Sequence, residues 1–243
     1  MTQNIYDNPE FFQNYSQLPR SVDGLDGAPE WPSLRALLPP VAGRNVLDLG
    51  CGFGWFCRWA ARQGAARVLG VDVSERMLAR ARAETGEAEI SYLQADLERF
   101  EASPGSFDLA YSSLAVHYIE NLAGLLANVH AALVPGGKLV FSTEHPIMTA
   151  PANQGWHTDA AGRPSWPVNG YLDEGPRSTD WLAKGVVKQH RTIGTYVGLL
   201  VGAGFAVTHI CEWGPSPEQV AAHPEWAAER ERPPFLLMAC DRP

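Results

Sequence analysis

The chain has 243 residues, 45% of them hydrophobic and 19% charged, with 19 Lys and Arg against 27 Asp and Glu for a net charge of −8. That length and apolar share suit one large domain with a substantial core, and so few charges argue against disorder. An acidic balance with no basic stripe speaks against a nucleic-acid partner, and no apolar run reaches the ~20 residues that a bilayer span needs. The polar start MTQNIYDNPEFF lacks the basic and apolar segments of a signal peptide, and Cys51, Cys57, Cys211 and Cys240 form no CxxC pair. The expectation is a cytoplasmic protein with reduced thiols, no metal site and no membrane partner.

Residues 1–40 carry Tyr6, Phe11, Phe12, Tyr15 and Trp31 and read as a helical arm, its last helix beginning near Glu30 and stopped by Pro39-Pro40. From Asn45 short apolar runs alternate with helical spacing. Strands are predicted at NVLDLG, RVLGVD, EISYLQAD, SFDLAYSS and KLVFSTEH, with helices at WFCRWAARQG, SERMLARARAE and ENLAGLLANVHAAL between them, the last stopped by a turn at Pro135-Gly-Gly. Ser74 is the predicted N-cap of the second of these helices. Such alternation means an α/β fold with a doubly wound parallel sheet. Residues 146–190 interrupt it with Pro, Gly and Trp and little periodicity. A stretch that long without structure is expected to be functional, and it falls on the ligand side of the sheet. A final helix at residues 191–204 leads to two strands, FAVTHICEW and PFLLMAC, that are able to pair antiparallel.

The segment Val46-Leu-Asp-Leu-Gly-Cys-Gly-Phe-Gly54 places glycines at 50, 52 and 54 between a buried strand and a helix. The dinucleotide fingerprint is GxGxxG, but here its third glycine position is Trp55, which disfavours a pyrophosphate. Asp72 closes the second strand about twenty residues on, where an acid accepts ribose hydroxyls. A ribose beside a glycine loop that lacks a phosphate cradle points to a nucleoside without phosphates.

DLGCGFG, followed by VDVSERML, Ala95-Asp96 and LVPGGKLVFS, resembles the class I S-adenosylmethionine-dependent methyltransferases, and most of all the bacterial small-molecule branch often called type 11. The likeness is strong over residues 40–145 and continues through HRTIGTYVGLLVGAGF. It implies a Rossmann-like seven-stranded sheet in the order 3-2-1-4-5-7-6 with strand 7 antiparallel, and S-adenosylmethionine as cofactor. It further implies that Gly50, Gly52 and Gly54 pass the methionine and ribose parts, and that Asp48 steadies the loop and the cofactor ammonium. The resemblance also implies that Asp72 binds the ribose and that Val73 and Met77 lie against the adenine. By the same resemblance Asp96 is expected to take the adenine amino group between Ala95 and Leu97, and Ser112 to stand near the sulfonium.

Methyl transfer needs a nucleophile held in line, and a base only where the acceptor arrives protonated. His117, after strand four, and His145, after strand five, are the candidates for touching substrate or moving a proton, and His190 opens the last helix or braces the insertion. Tyr15 and Arg20 of the arm are candidates for cofactor contact, through the attraction of a ring for a sulfonium and of a guanidinium for a carboxylate. Trp156, Trp166, Tyr171 and Trp181, with Glu174, Arg177 and Lys184 or Lys188, suit a lid over an organic acceptor or a small satellite core. The reading is a single methyltransferase domain acting on a small molecule, with arm, core (41–145), lid (146–190) and C-terminal segment (191–243). The alternatives are a non-methylating use of the same cofactor, a nicotinamide dehydrogenase and a non-catalytic binding module. Neither the acceptor nor the oligomeric state is legible.

Overall fold

The structure, a computed structural model, describes residues 3–243; residues 1 and 2 of the arm lie outside the described residues. The arm carries three short helices, α1 (Pro9–Tyr15), α2 (Pro19–Val22) and α3 (Trp31–Arg35). Next come β1 (Asn45–Leu49), α4 (Trp55–Arg62), β2 (Arg67–Asp72), α5 (Glu75–Glu84), β3 (Ile90–Gln94), β4 (Phe107–Ser113), α6 (Leu122–Ala132) and β5 (Leu133–Glu144). The insertion holds α7 (Pro146–Thr149), β6 (His157–Thr158), β7 (Pro164–Ser165), β8 (Gly175–Thr179) and β9 (Val186–His190). The chain ends with α8 (Ile193–Gly202), β10 (Ala206–Trp213), α9 (Pro217–Ala222) and β11 (Phe235–Asp241).

The main sheet has the order β3-β2-β1-β4-β5-β11-β10, the expected one. Strand β11 runs antiparallel to both β5 and β10, and the other pairings are parallel. Its residues alternate between two cores, as a period of two requires. Leu47, Ala110 and Phe141 face α6 and α8 through Leu126, Val129 and Leu200. Val46, Leu109, Tyr111 and Val140 face α3, α4 and α5 through Leu34, Phe56 and Leu78. Ser74 does cap α5, its hydroxyl accepting the Met77 N–H at 3.1 Å.

Three local expectations change. Helix α3 is only five residues long, so the chain is already out of helix before Pro39. The turn expected at Pro135-Gly-Gly is absorbed into β5, because Gly136 and Gly137 exchange backbone hydrogen bonds of 2.8 Å with Arg242. The insertion is not structureless: β6 with β7 and β8 with β9 form two antiparallel hairpins. His190 ends β9, and Thr192 caps α8.

Candidate active site

A cavity of about 470 Å³ opens beyond the carboxyl ends of β1, β2, β4 and β5, within the size range of small-molecule sites. Its floor is the glycine loop. Gly50 donates to the Val71 carbonyl at 2.8 Å, which binds the loop to β2. Its φ is +74°, and a Cβ there would stand 2.5 Å from that of Ala115, so the loop passes β4's continuation only without a side chain. At Gly52 (φ +52°) a Cβ would meet nothing within 4 Å; its N–H donates to Asp72 Oδ2 at 2.9 Å. Asp72 Oδ1 accepts from Ser74 N, also at 2.9 Å. Burial raises the Asp72 pKa despite those two donors. Asp48 lies deeper, receiving the Cys57 thiol at 3.2 Å, and burial pushes its pKa up to about 7. Val73, Met77, Asp96 and Leu97 complete this end. Ala95 packs against the core, and Gly54 forms the N-terminus of α4 with Tyr92 above it; neither lines the cavity.

Past β4 the lining residues are Ser113, Leu114, Ala115 and His117. Ser112 is not among them. It is wholly buried, and its hydroxyl donates to the Leu49 carbonyl at 2.8 Å, tying β4 to β1. Alternation along the strand turns Ser113, not Ser112, to the site. Leu114 holds φ at +53°, a costly conformation for a branched side chain that survives where surroundings enforce it. His117 is 2% exposed. Its Nδ1 accepts the Glu144 N–H at 3.4 Å and lies 3.3 Å from Thr143 Oγ1. Burial depresses its pKa to about 4, against the pull of Glu144. His145 does not reach the cavity. Its Nδ1 accepts the Ile147 N–H as the cap of α7, and its Nε2 lies 2.9 Å from Glu212. His190 bridges Thr149 and the Tyr171 carbonyl inside the insertion.

The arm and insertion close the roof together. Phe11, Ile5 and Val186 form a small core with Tyr6, Tyr15, Tyr118 and Trp181 around it. Gln3 bonds Gly185 and Val187, and Asn14 bonds Leu182. Asp7 accepts the Ser74 hydroxyl, which fixes the arm over the Asp72 turn. Tyr15 and Arg20 both line the cavity. The Arg20 fork is already engaged by Glu30, at 3.1 and 3.2 Å, so two of its five N–H donors are spent. Of the insertion's aromatics only Trp181 reaches the cavity. Trp156 and Trp166 flank Arg232, 5.0 and 4.1 Å from its guanidinium carbon, in a satellite cluster.

Residues 47–141 match the family described as a methyltransferase domain. The crystal structure of an S-adenosylmethionine-dependent methyltransferase from Mesorhizobium loti is 59% identical, with a TM-score of 0.87 over 90% of this chain and 100% of that one. The chain belongs to the S-adenosylmethionine-dependent methyltransferases. An uncharacterized protein of Haemophilus influenzae is 33% identical over 96% of this chain and 95% of its own. Malonyl-(acyl-carrier protein) O-methyltransferase of Pectobacterium atrosepticum is 36% identical over 51% of this chain and 47% of its own. The cofactor is S-adenosylmethionine, and the floor of the cavity fits it. Gly52 leaves open space where a side chain would stand, Asp72 offers a buried carboxylate, and Met77 and Leu97 supply apolar faces.

Several residues lining this methyltransferase's cavity escaped the sequence reading: Leu114, Trp213, Trp226, Glu229 and Phe235. Two of them had an available signal. An antiparallel last strand begins at the end of the sheet where the parallel strands finish. Phe235 therefore pairs with Glu144 and Trp213 with Phe235, side by side at the ligand edge. Among the described residues no His, Cys, Asp and Glu group suits a metal, and no helix is long and apolar enough to cross a membrane.

Proposed function

We propose that this methyltransferase acts on a small organic acceptor by direct displacement, with the acceptor seated between the ends of β4 and β5 and the roof. The observation that carries the reading is the continuity of one cavity from Asp72 and Asp96 to Glu144, Trp181 and Phe235, roofed by arm and insertion. A space of that size accommodates a small molecule beside the cofactor and leaves little way in for a folded macromolecule. When bound, S-adenosylmethionine supplies an electrophilic methyl group. The chain's own contribution is to place the acceptor in line with it and keep water out, which by itself accounts for a large part of such a rate.

In this reading Asp72, Asp96, Val73, Met77 and Leu97 hold the nucleoside, and Asp48, the glycine loop, Tyr15 and Arg20 surround the amino-acid portion. His117 orients the acceptor. Its Nδ1 receives the Glu144 N–H, so the hydrogen of the neutral ring sits on Nε2, which makes it a donor. Neither Ser112 nor His145 is assigned a part, since both are engaged away from the cavity. The test is incubation with a metabolite pool and methyl-labelled cofactor, followed by mass spectrometry. Labelled small-molecule product with S-adenosylhomocysteine in equal amount supports the reading. Cofactor consumption without S-adenosylhomocysteine, or label carried only by macromolecules, rejects it.

A further inference from the structure

Charge is distributed unevenly around the cavity. Its carboxylates are Asp48, Asp72, Asp96, Glu144 and Glu229, while Arg20 is the one Lys or Arg among the described lining residues. Arg20 is occupied by Glu30. Near the acceptor end, Arg191 has no acidic partner among the described residues, but its Nη2 is held by the Ile119 and Glu120 carbonyls and it does not line the cavity. Lys188, 2% exposed, meets Glu144 Oε1 at 2.5 Å and faces the Trp181 ring at 4.6 Å; Arg232 meets Glu229 at 3.2 Å. Neither Lys188 nor Arg232 lines the cavity.

Glu144 is under-used. Lys188 takes one oxygen, and the other, Oε2, is buried with no hydrogen-bond partner. A carboxylate offers about four lone-pair sites, and leaving them unfilled away from water is costly. Burial works to raise the Glu144 pKa, but neighbouring positive charge and the Lys188 hydrogen bond outweigh it and hold the group below its ordinary value, so it is ionised at neutral pH. Beside it in register across the sheet stand Phe235 and Trp213, whose rings stack at 5.6 Å and 25°. Trp181, packed with the arm in the roof, also lines the cavity. Flat apolar walls with an ionised acid, and no lining Lys or Arg among the described residues except the paired Arg20, favour a flat ligand carrying N–H donors.

Resting on the proposed function, we infer that the methyl acceptor is a small aromatic nitrogen compound whose N–H group lies against the Glu144 carboxylate, and that carboxylic acids are poor ligands of this site. A carboxylate placed there would face Glu144 across a wall whose one described Lys or Arg, Arg20, is already paired with Glu30.

The test uses the full chain saturated with S-adenosylhomocysteine and three indoles of similar size: tryptamine, indole-3-acetamide and indole-3-acetate. They present an ammonium, a neutral N–H and a carboxylate. Calorimetry is expected to show the first two binding at least about tenfold more tightly than the third, as a charge-assisted hydrogen bond implies. The first two then rank the ammonium against the neutral donor. Glu144→Gln should abolish most of the tryptamine preference while S-adenosylhomocysteine affinity holds. Because that variant leaves Lys188 buried without its partner, Glu144→Gln/Lys188→Met serves as a second version. Equal or tighter binding of the acetate, no binding of any indole, or a preference that survives both variants overturns the inference. An ester product from the labelled metabolite pool would also overturn it while leaving the proposed function standing.

Discussion

The two ends of the cavity are built by different means. The end proposed for the nucleoside is made by backbone. Gly50 and Cys51 hang on the Val71 carbonyl, and the Asp72 carboxylate is oriented by the Gly52 and Ser74 N–H groups. The end proposed for the acceptor is made mostly by side chains drawn from five distant segments: the arm, the residues after β4, β5's last residue, the insertion and the 213–235 stretch. It also carries unfilled hydrogen-bonding capacity, at Glu144 Oε2 and, just behind the lining, at Arg232 Nε. Backbone geometry is insensitive to most substitutions, whereas a wall of side chains changes with each one. The same fold can therefore keep its cofactor and change its acceptor.

The sharpest way to break the first end is Gly50→Ala. The new methyl must displace Ala115 from 2.5 Å and hold a φ of +74°. Overpacking and left-handed strain together should cost about 3 kcal/mol of stability, read by urea denaturation. Gly50→Ala/Ala115→Gly should recover the overpacking share. An unchanged midpoint would mean that the loop is not held as described. Asp72→Ala should come next, lowering S-adenosylhomocysteine affinity by roughly 10- to 100-fold through loss of charged hydrogen-bond acceptance. Calorimetry with unaltered affinity would remove Asp72 from the nucleoside site.

Breaking the other end should leave the cofactor alone. Trp181→Ala strips a roof ring and uncovers Lys188. We expect the acceptor KM to rise about tenfold, since buried aromatics dominate such contacts, with S-adenosylhomocysteine affinity within about twofold of the wild type. Equal losses for both ligands would show that the two ends are not separable.

The asymmetry explains what was legible. The glycine loop and Asp72 are read from local pattern, because a backbone-built wall is contiguous in sequence; the strand order, the antiparallel last strand and the lining residues Val73, Met77, Asp96 and Leu97 came through the family resemblance that this local pattern carries. Ser112 was displaced by one position, which on a strand is the whole difference between facing the site and facing β1. His145 has the residue type and the place but is used up in capping α7. Glu229 and Trp226 sit in a region whose only local signal is proline, so only tertiary packing brings them in. The aromatic insertion divides: Trp181 serves the cavity, while Trp156 and Trp166 serve Arg232.

A pH series sharpens the comparison further. The Asp48 pKa is raised from 3.8 to about 7 by burial. A carboxyl that ionises later in the folded than in the unfolded chain makes its most favourable contribution below pH 3.8 and loses it as pH climbs to about 7. Asp48→Asn should flatten that decline in the ligand-free protein. If the ionised form steadies the cofactor ammonium, S-adenosylhomocysteine affinity should rise about five- to tenfold from pH 6 to pH 8 in the wild type. The variant should show no such rise. An affinity independent of pH in the wild type would detach Asp48 from the ligand.

The smallest effect expected is at His117, where the two ends meet. Its pKa, depressed to about 4, leaves the ring neutral across the working range. The Glu144 N–H occupies Nδ1, so the remaining nitrogen presents hydrogen rather than a lone pair. In the proposed reading, a group in that state orients the acceptor and does not deprotonate it. His117→Gln keeps a donor of similar reach and should retain turnover to within about fivefold, whereas a lost general base costs about 10²–10⁴-fold. Neither wild type nor variant should show an ionisation near neutrality that belongs to residue 117. Stability gives an independent readout. A histidine with a depressed folded pKa contributes stability above its unfolded value of 6.5, and that contribution fades as pH falls toward 4. His117→Gln should therefore lose less stability than the wild type between those limits. Turnover that collapses in His117→Gln, together with a neutral ionisation that disappears with it, would make His117 the base and require its ring to carry its hydrogen on Nδ1 instead.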